Sequence, residues 1–134
     1  MSARNFTQVI ILKKIFVNHT NHASAQWSPE QIAATEIYGE IADFPFPNID
    51  ANFDEAQISA LVEVNGKKIL AMNPAAVLCQ GELSYTYAMI NFLKKNNVIV
   101  IAAASERIVE ERVTADGATQ KISLFKFVRF RQYQ

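Results

Sequence analysis

The chain has 134 residues, half of them apolar, which is enough for one hydrophobic core and too few for two. Thirteen basic residues balance thirteen acidic ones, so there is no global positive field of the kind that draws a protein to duplex nucleic acid or to an anionic membrane. No apolar run is long enough for a membrane span, the N-terminus lacks a secretory apolar core, and a single cysteine cannot form an internal disulfide; a cytoplasmic protein is expected.

Residues 1–8 are polar and unpatterned and are expected to form a loose arm, leaving 9–134 as one α/β domain. The apolar run from Val9 to Val17 predicts a buried strand that ends at Asn18. After the polar loop Asn18-His19-Thr20-Asn21-His22, Ser28-Pro29-Glu30-Gln31 reads as a helix start: a capping residue, a proline at the first helical position, and a glutamine three after the cap. Gly39 supplies its stop, and Trp27 just before the cap reads first as a hydrophobic staple and second as a stacking surface for a base. Ile41 to Phe46 predicts a short second strand broken by Pro45 and Pro47.

From Asp54 to Met72 two patterns compete. Asn65-Gly66 resembles a hairpin turn, but Ile58, Leu61, Val62, Ile69 and Met72 repeat at helical spacing and Asp54 with Gln57 forms a capping pattern. Helix is the reading adopted, because a parallel sheet needs a crossover here. Ala75 to Gln80 predicts strand three, and Glu82 to Lys95 a helix apolar nearly all round, expected to be deeply buried or in a homodimer interface. Cys79 falls inside strand three and reads as an inert core residue. Val98 to Ala104 begins a strand whose pattern continues to a turn at Asp116-Gly117 and returns from Thr119 to about Arg131. The fold expected is a Rossmann-like three-layer α/β domain, mostly parallel, with a C-terminal antiparallel hairpin strand.

In such sheets ligands sit at the carboxyl ends of the strands. That rule selects Asn18 to His22, Gln80-Gly81-Glu82 with Ser84 to Thr86, and Ser105-Glu106-Arg107. Folding back at Asp116-Gly117 places residues whose numbers sum to roughly 233 opposite each other, bringing Lys126 and Arg129 near Ser105 and Arg107 as a local basic patch. Such a patch suits a small phosphate-bearing ligand better than a long polyanion. His19 and His22 can contact phosphate or exchange protons near neutral pH, although loop histidines are commonly plain surface residues. No third ligand with suitable spacing accompanies them, so no metal site is expected. No cofactor is expected either: dinucleotide and phosphate-loop glycine motifs and the serine-hydrolase elbow are all missing from the sequence. Phe125, Phe127 and Phe130 read first as core or dimer contacts and second as a stacking platform for nucleic-acid bases.

The combination of Phe16-Val17-Asn18, Asn21-His22, Trp27-Ser28, Phe44-Pro45-Phe46-Pro47, Ala76 to Glu82, Ser105-Glu106-Arg107 and Phe127 to Arg131 resembles a group of small single-domain CRISPR-associated proteins with a CARF-like fold. The resemblance covers most of the chain from Leu12 on, and relatives of that fold include ring nucleases. It implies two paired subunits that hold a cyclic oligoadenylate second messenger at the strand ends. For a ring nuclease it further implies metal-independent attack of a ribose 2′-OH on the adjoining phosphate. On that expectation His22, with His19 as the weaker candidate, is acid or base. Arg107 and Arg129 stabilise the anion, and Asn18, Asn21, Gln80, Gly81, Glu82, Ser84, Thr86 and Ser105 bind or position the ligand. Two alternatives stand beside it: a non-catalytic sensor or sink for the same messenger, and a protein-interaction subunit.

Overall fold

The computed structural model describes residues 13–134, so the expected arm at 1–8 and the proposed start of strand one at Val9 lie outside the described residues. The first strand, β1, runs Ile15–His19 and includes Asn18 and His19, which the sequence had suggested were loop. All four residues from Phe16 on are buried, since neighbouring strands flank β1 on both sides. A short turn at Ser24–Gln26 leads into α1, Pro29–Ala34, where Ser28 caps the helix by accepting from the Gln31 amide. β2 covers Glu40–Asp43, shorter than the expected Ile41 to Phe46. Beyond Asp43 the chain still follows β1, with the Phe44 and Phe46 amides donating to Asn18 and Thr20 carbonyls, but Pro45 and Pro47 cannot donate and the ladder stops.

The ambiguous segment is a helix, α2, Glu55–Ala71, opened by a capping box in which Asp54 and Gln57 exchange side-chain and backbone bonds. Gly66 lies within it because the helix passes close to a neighbour: a Cβ there would meet the Phe92 ring at 2.3 Å. β3 is Pro74–Cys79, α3 is Leu83–Lys95, β4 is Val100–Val113 and β5 is Thr119–Gln132. The fold is a mixed α/β, Rossmann-like sheet in the order β2-β1-β3-β4-β5, parallel except for β5, which runs antiparallel at the edge.

Strand alternation sends Val17, Val77, Cys79 and Val100 to one face, where Ile58, Val62, Ile69, Tyr85, Met89 and Leu93 of α2 and α3 complete the larger core. Phe16, Ala76, Leu78 and Ile101 face the other way, under Trp27, Tyr38 and Phe130. On that second side α1 has only six residues, so it covers little of the sheet. Helix α3 is not apolar-buried all round: Tyr85, Met89 and Leu93 are in the core, while Leu83 and Tyr87 stand 83% and 71% exposed.

β3 pairs β4 only at Val77↔Val100 and Leu78↔Ile101. Above that point, among the described residues, β4 and β5 continue as a two-stranded ribbon with no third strand, which rises past the carboxyl ends of the parallel strands. The expected pairing sum holds from Ile101↔Gln132 to Ala104↔Arg129, but Ser105 pairs Phe127. Val128 is therefore an extra residue on β5, and each β5 side chain beyond it changes faces relative to an unbulged strand.

Candidate functional site

β1 leaves the sheet toward α1 and β3 leaves toward α3 on the opposite face, which opens a crevice between their carboxyl ends. A groove of about 900 Å³ lies there. One wall is the loop Thr20–Gln31, its floor is Leu78, Gln80 and Gly81, and its far wall is the overhanging ribbon with Ser105, Lys126 and Phe127.

The first wall is held by a closed hydrogen-bond network. Asn18, fully buried at the strand end, donates through Nδ2 to the His22 carbonyl at 2.8 Å and to Asp43 Oδ1 at 2.9 Å, while its Oδ1 accepts from the Thr20 hydroxyl at 2.8 Å. Asp43 also accepts from the Ser24 amide and hydroxyl, at 3.3 and 3.1 Å. The His22 carbonyl takes a further bond from Trp27 Nε1 at 3.2 Å. The His22 backbone is thus pinned from several directions, and its imidazole is left exposed on the groove wall. Trp27 packs edge-on to Phe16, with ring centroids 6.1 Å apart and planes at 88°, so the indole is anchored in the sheet and still lines the groove.

On the floor, the Gln80 side chain behaves as a length of backbone. Its Oε1 accepts from the Ala103 amide at 2.8 Å and its Nε2 reaches the Ala103 carbonyl at 3.5 Å, carrying the β3–β4 ladder one step further after Cys79. Gly81 sits over the Phe46 ring, which a Cβ would meet at 2.3 Å. At the start of α3 the Glu82 carboxylate accepts from the Tyr85 amide at 2.8 Å and from the Ser84 hydroxyl, and these bonds hold its carboxyl below the usual range. The helix N-terminus is therefore capped by the chain's own anion.

The residues selected from sequence separate accordingly. Asn21, His22, Gln80, Gly81 and Ser105 meet at the groove. Asn18 is spent inside the loop network. His19 lies in the core with no exposure, its Nδ1 2.7 Å from the Phe44 carbonyl and its Nε2 2.7 Å from the Tyr85 hydroxyl. Burial lowers its pKa, the bond to Phe44 opposing that only in part. Glu82 and Ser84 bond each other, and the buried Thr86 hydroxyl has no partner among the described residues. Arg107 donates to Ser123 Oγ along the ribbon, and Arg129, beside Phe130 in the strand alternation, faces away from the Trp27 side of the sheet. The expected convergence of Arg107 and Arg129 into one basic patch is thus corrected: neither lines the groove, whose ionisable lining is His22, Lys126 and Glu30.

The ribbon's aromatic rings, expected first as core or dimer contacts, contribute two members to the groove instead. Phe125 and Phe127 line the groove, which required knowing that the Val128 bulge turns both toward it. Asp43 was overlooked; a lone acid at a strand end carries no signal until its partner Asn18 is in place. Among the described residues, no three His, Cys, Asp or Glu side chains gather where they could hold a metal ion, and no helix is long and apolar enough to cross a membrane.

Residues 14–131 match the family model described as the Uncharacterized protein MJ1673 family. The protein of that name from Methanocaldococcus jannaschii is 40% identical over 57 residues, which is 42% of this chain and 43% of the relative. The aligned region therefore spans less than half the length of that curated relative.

Proposed function

The chain belongs to the Uncharacterized protein MJ1673 family, and from its groove we propose that it binds a small phosphate-bearing nucleotide of the cyclic oligoadenylate class. The observation that carries this reading is the groove's lining. Trp27, Phe125 and Phe127 bring aromatic rings that could stack on bases, while His22 and Lys126 bring donors and positive charge for phosphate. Its volume of about 900 Å³ falls at the upper end of the range for small-ligand sites. The cyclic, adenine-containing form of the ligand, two subunits sharing it, and a role beside CRISPR systems come from the resemblance of the sequence motifs.

A second reading adds turnover, favoured by the exposed imidazole of His22 on a rigidly bonded loop. The ribose 2′-oxygen would form a bond to the adjoining phosphorus as the bond from phosphorus to the 5′-oxygen breaks. The 2′-OH gives up its proton and the leaving 5′-oxygen gains one. The products are a 2′,3′-cyclic phosphate and a 5′-hydroxyl. His22 is the groove residue suited to one of those proton transfers.

The test is a melting screen against cyclic tetra- and hexa-adenylate, linear oligoadenylates and mononucleotides, with fluorescence of Trp27, the chain's single tryptophan, as a second readout. Ligand at 100 times its Kd adds about 2.7 kcal/mol to stability. A shift with a cyclic compound and quenching of Trp27 are expected. Intact ligand recovered afterwards marks a sensor or sink, and cleavage lost in His22→Ala marks an enzyme. No shift with any nucleotide overturns the reading, and capture of a heteromeric complex in its place favours the interaction subunit.

A further inference from the structure

The ribbon has two edges, and they differ in a way that points to a use. On the outer edge, β5 from Thr119 to Gln132 carries Lys121, Lys126, Arg129 and Arg131 and no acid, so pairing that edge with another copy sets cations against cations. The inner edge belongs to β4. Its Ala103 amide and carbonyl are taken by the Gln80 side chain, and the Ile99 carbonyl accepts from Val77, so odd-numbered β4 residues direct their backbone groups toward the β3 side. β3 has ended by then. Among the described residues, Ser105, Arg107, Val109, Glu111 and Val113 therefore present a row of backbone donors and acceptors with no strand beside them. A two-stranded ribbon is marginal by itself, and this one exposes Val109 by 54% and Val113 by 76%.

We propose that this edge pairs with the same edge of a second copy, β4 against β4 in antiparallel sense with Val109 on the two-fold axis. The ribbons then form one four-stranded sheet. Backbone direction requires odd residues to oppose odd residues, which limits the registers to steps of two. With Val109 opposite itself, Arg107 faces the partner's Glu111 and Glu106 faces the partner's Arg112, and symmetry repeats both pairs. Every neighbouring register sets like charges together. Moving the axis to Ile108 pairs Glu106 with Glu110, moving it to Glu110 or Glu111 opposes that acid to itself, and moving it to Arg107 opposes the two arginines. The charge order of β4 thus selects one register.

In that register Val113 of the second copy lies beside Ser105, and Ser105 lines the groove. The partner's turn, which follows Val113, is delivered to the groove mouth. Each site is then built from two chains, with the ribbon as both wall and interface. The inference stands on the edge and its charges and does not depend on which ligand the groove takes.

The experiment uses the full chain. Sedimentation is expected to show a dimer. Val109→Cys is expected to form a disulfide with its own copy under mild oxidation, because directly opposed hydrogen-bonded residues lie about 5.5 Å apart at Cα, inside the range a disulfide spans. Val128→Cys, on β5, is expected not to, and the native Cys79 is buried and does not compete. Arg107→Glu and Glu111→Arg should each raise the dimer's dissociation constant about tenfold or more, since each sets two like-charged pairs together, and the double exchange should restore it. A monomer overturns the proposal. So does a dimer that Val109→Cys does not cross-link, or one that ignores both charge reversals and is trapped by cysteines at exposed Leu83 and Tyr87 of α3.

Discussion

His19 Nε2 and the Tyr85 hydroxyl lie 2.7 Å apart in the centre of the larger core, and Asn65 Nδ2 reaches the same hydroxyl at 3.2 Å. Because the Phe44 carbonyl can only accept, His19 Nδ1 carries the ring proton and Nε2 accepts from Tyr85. The histidine is satisfied in its neutral form. It ties β1 to α3, and through Tyr85 and Asn65 to α2, beneath the groove.

Burial keeps His19 from taking a second proton in the folded chain, whereas the unfolded chain takes it near the usual value of 6.5. Its contribution to stability is therefore complete above that value and declines as pH falls below it. Thermal unfolding of the native chain from about pH 8 to pH 5 should show a steeper acid loss than His19→Gln. Equal slopes would mean that His19 is not the buried neutral group described. At neutral pH His19→Ala should cost about 2–4 kcal/mol, the removed ring leaving the Tyr85 hydroxyl without its acceptor.

The alkaline side has the opposite sign. Burial pushes the Cys79 thiol and the Tyr85 phenol up to about 12, from 9.0 and 10.0. Stability from both groups is full below 9, and is lost as the unfolded chain ionises first between there and 12. Cys79→Ala should flatten part of that loss. Native Cys79 should also resist a thiol reagent until the chain unfolds, so modification at the rate of a free thiol would contradict its burial.

Gly66→Ala tests whether packing outweighs propensity. In an exposed helix the change favours the helix by about 1 kcal/mol, but here the new Cβ meets Phe92 Cε1 at 2.3 Å. The clash should win, lowering stability by about 1–3 kcal/mol. Adding Phe92→Leu should recover part of it. A more stable single variant would show that α2 and α3 can move apart without cost.

Asp43→Ala removes the acceptor shared by Asn18 and Ser24. The loss should be about 1–2 kcal/mol and local. Amide exchange from Thr20 to Trp27 should quicken while β3 and α3 stay protected. Uniform acceleration across the sheet would place Asp43 in the global fold instead of the groove wall.

Much of the fold was legible because it rests on short-range signals. Ser28 with Pro29 and Gln31, and Asp54 with Gln57, mark helix starts whose bonds close within three residues. The helical spacing from Ile58 to Met72 outweighed the Asn-Gly turn signal, since a helix accepts Gly66 wherever a neighbour needs the room. The carboxyl ends of the strands as the place where polar residues collect also followed from the parallel reading. Less legible were the strand ends. β1 extends to His19 because β2 and β3 offer partners on both sides, and no residue within β1 announces that.

Periodicity and caps, each acting within a few residues, were enough to specify the alternation of strands and helices, the crossovers, and the strand ends where polar residues would collect. Which of those residues face the crevice depends on contacts between elements distant in the chain. His19 and His22 are three positions apart, yet one is the last buried residue of a central strand and the other stands on a loop held by Asn18, Asp43 and Trp27. Arg129 and Phe127 were separated by one bulged residue, Val128, which turns the ring toward the groove and leaves the arginine on the other face. A side chain's direction in a sheet reverses with every residue, so a single unpaired position, visible only in the pairing of β4 with β5, set the faces on which Phe127 and Arg129 stand.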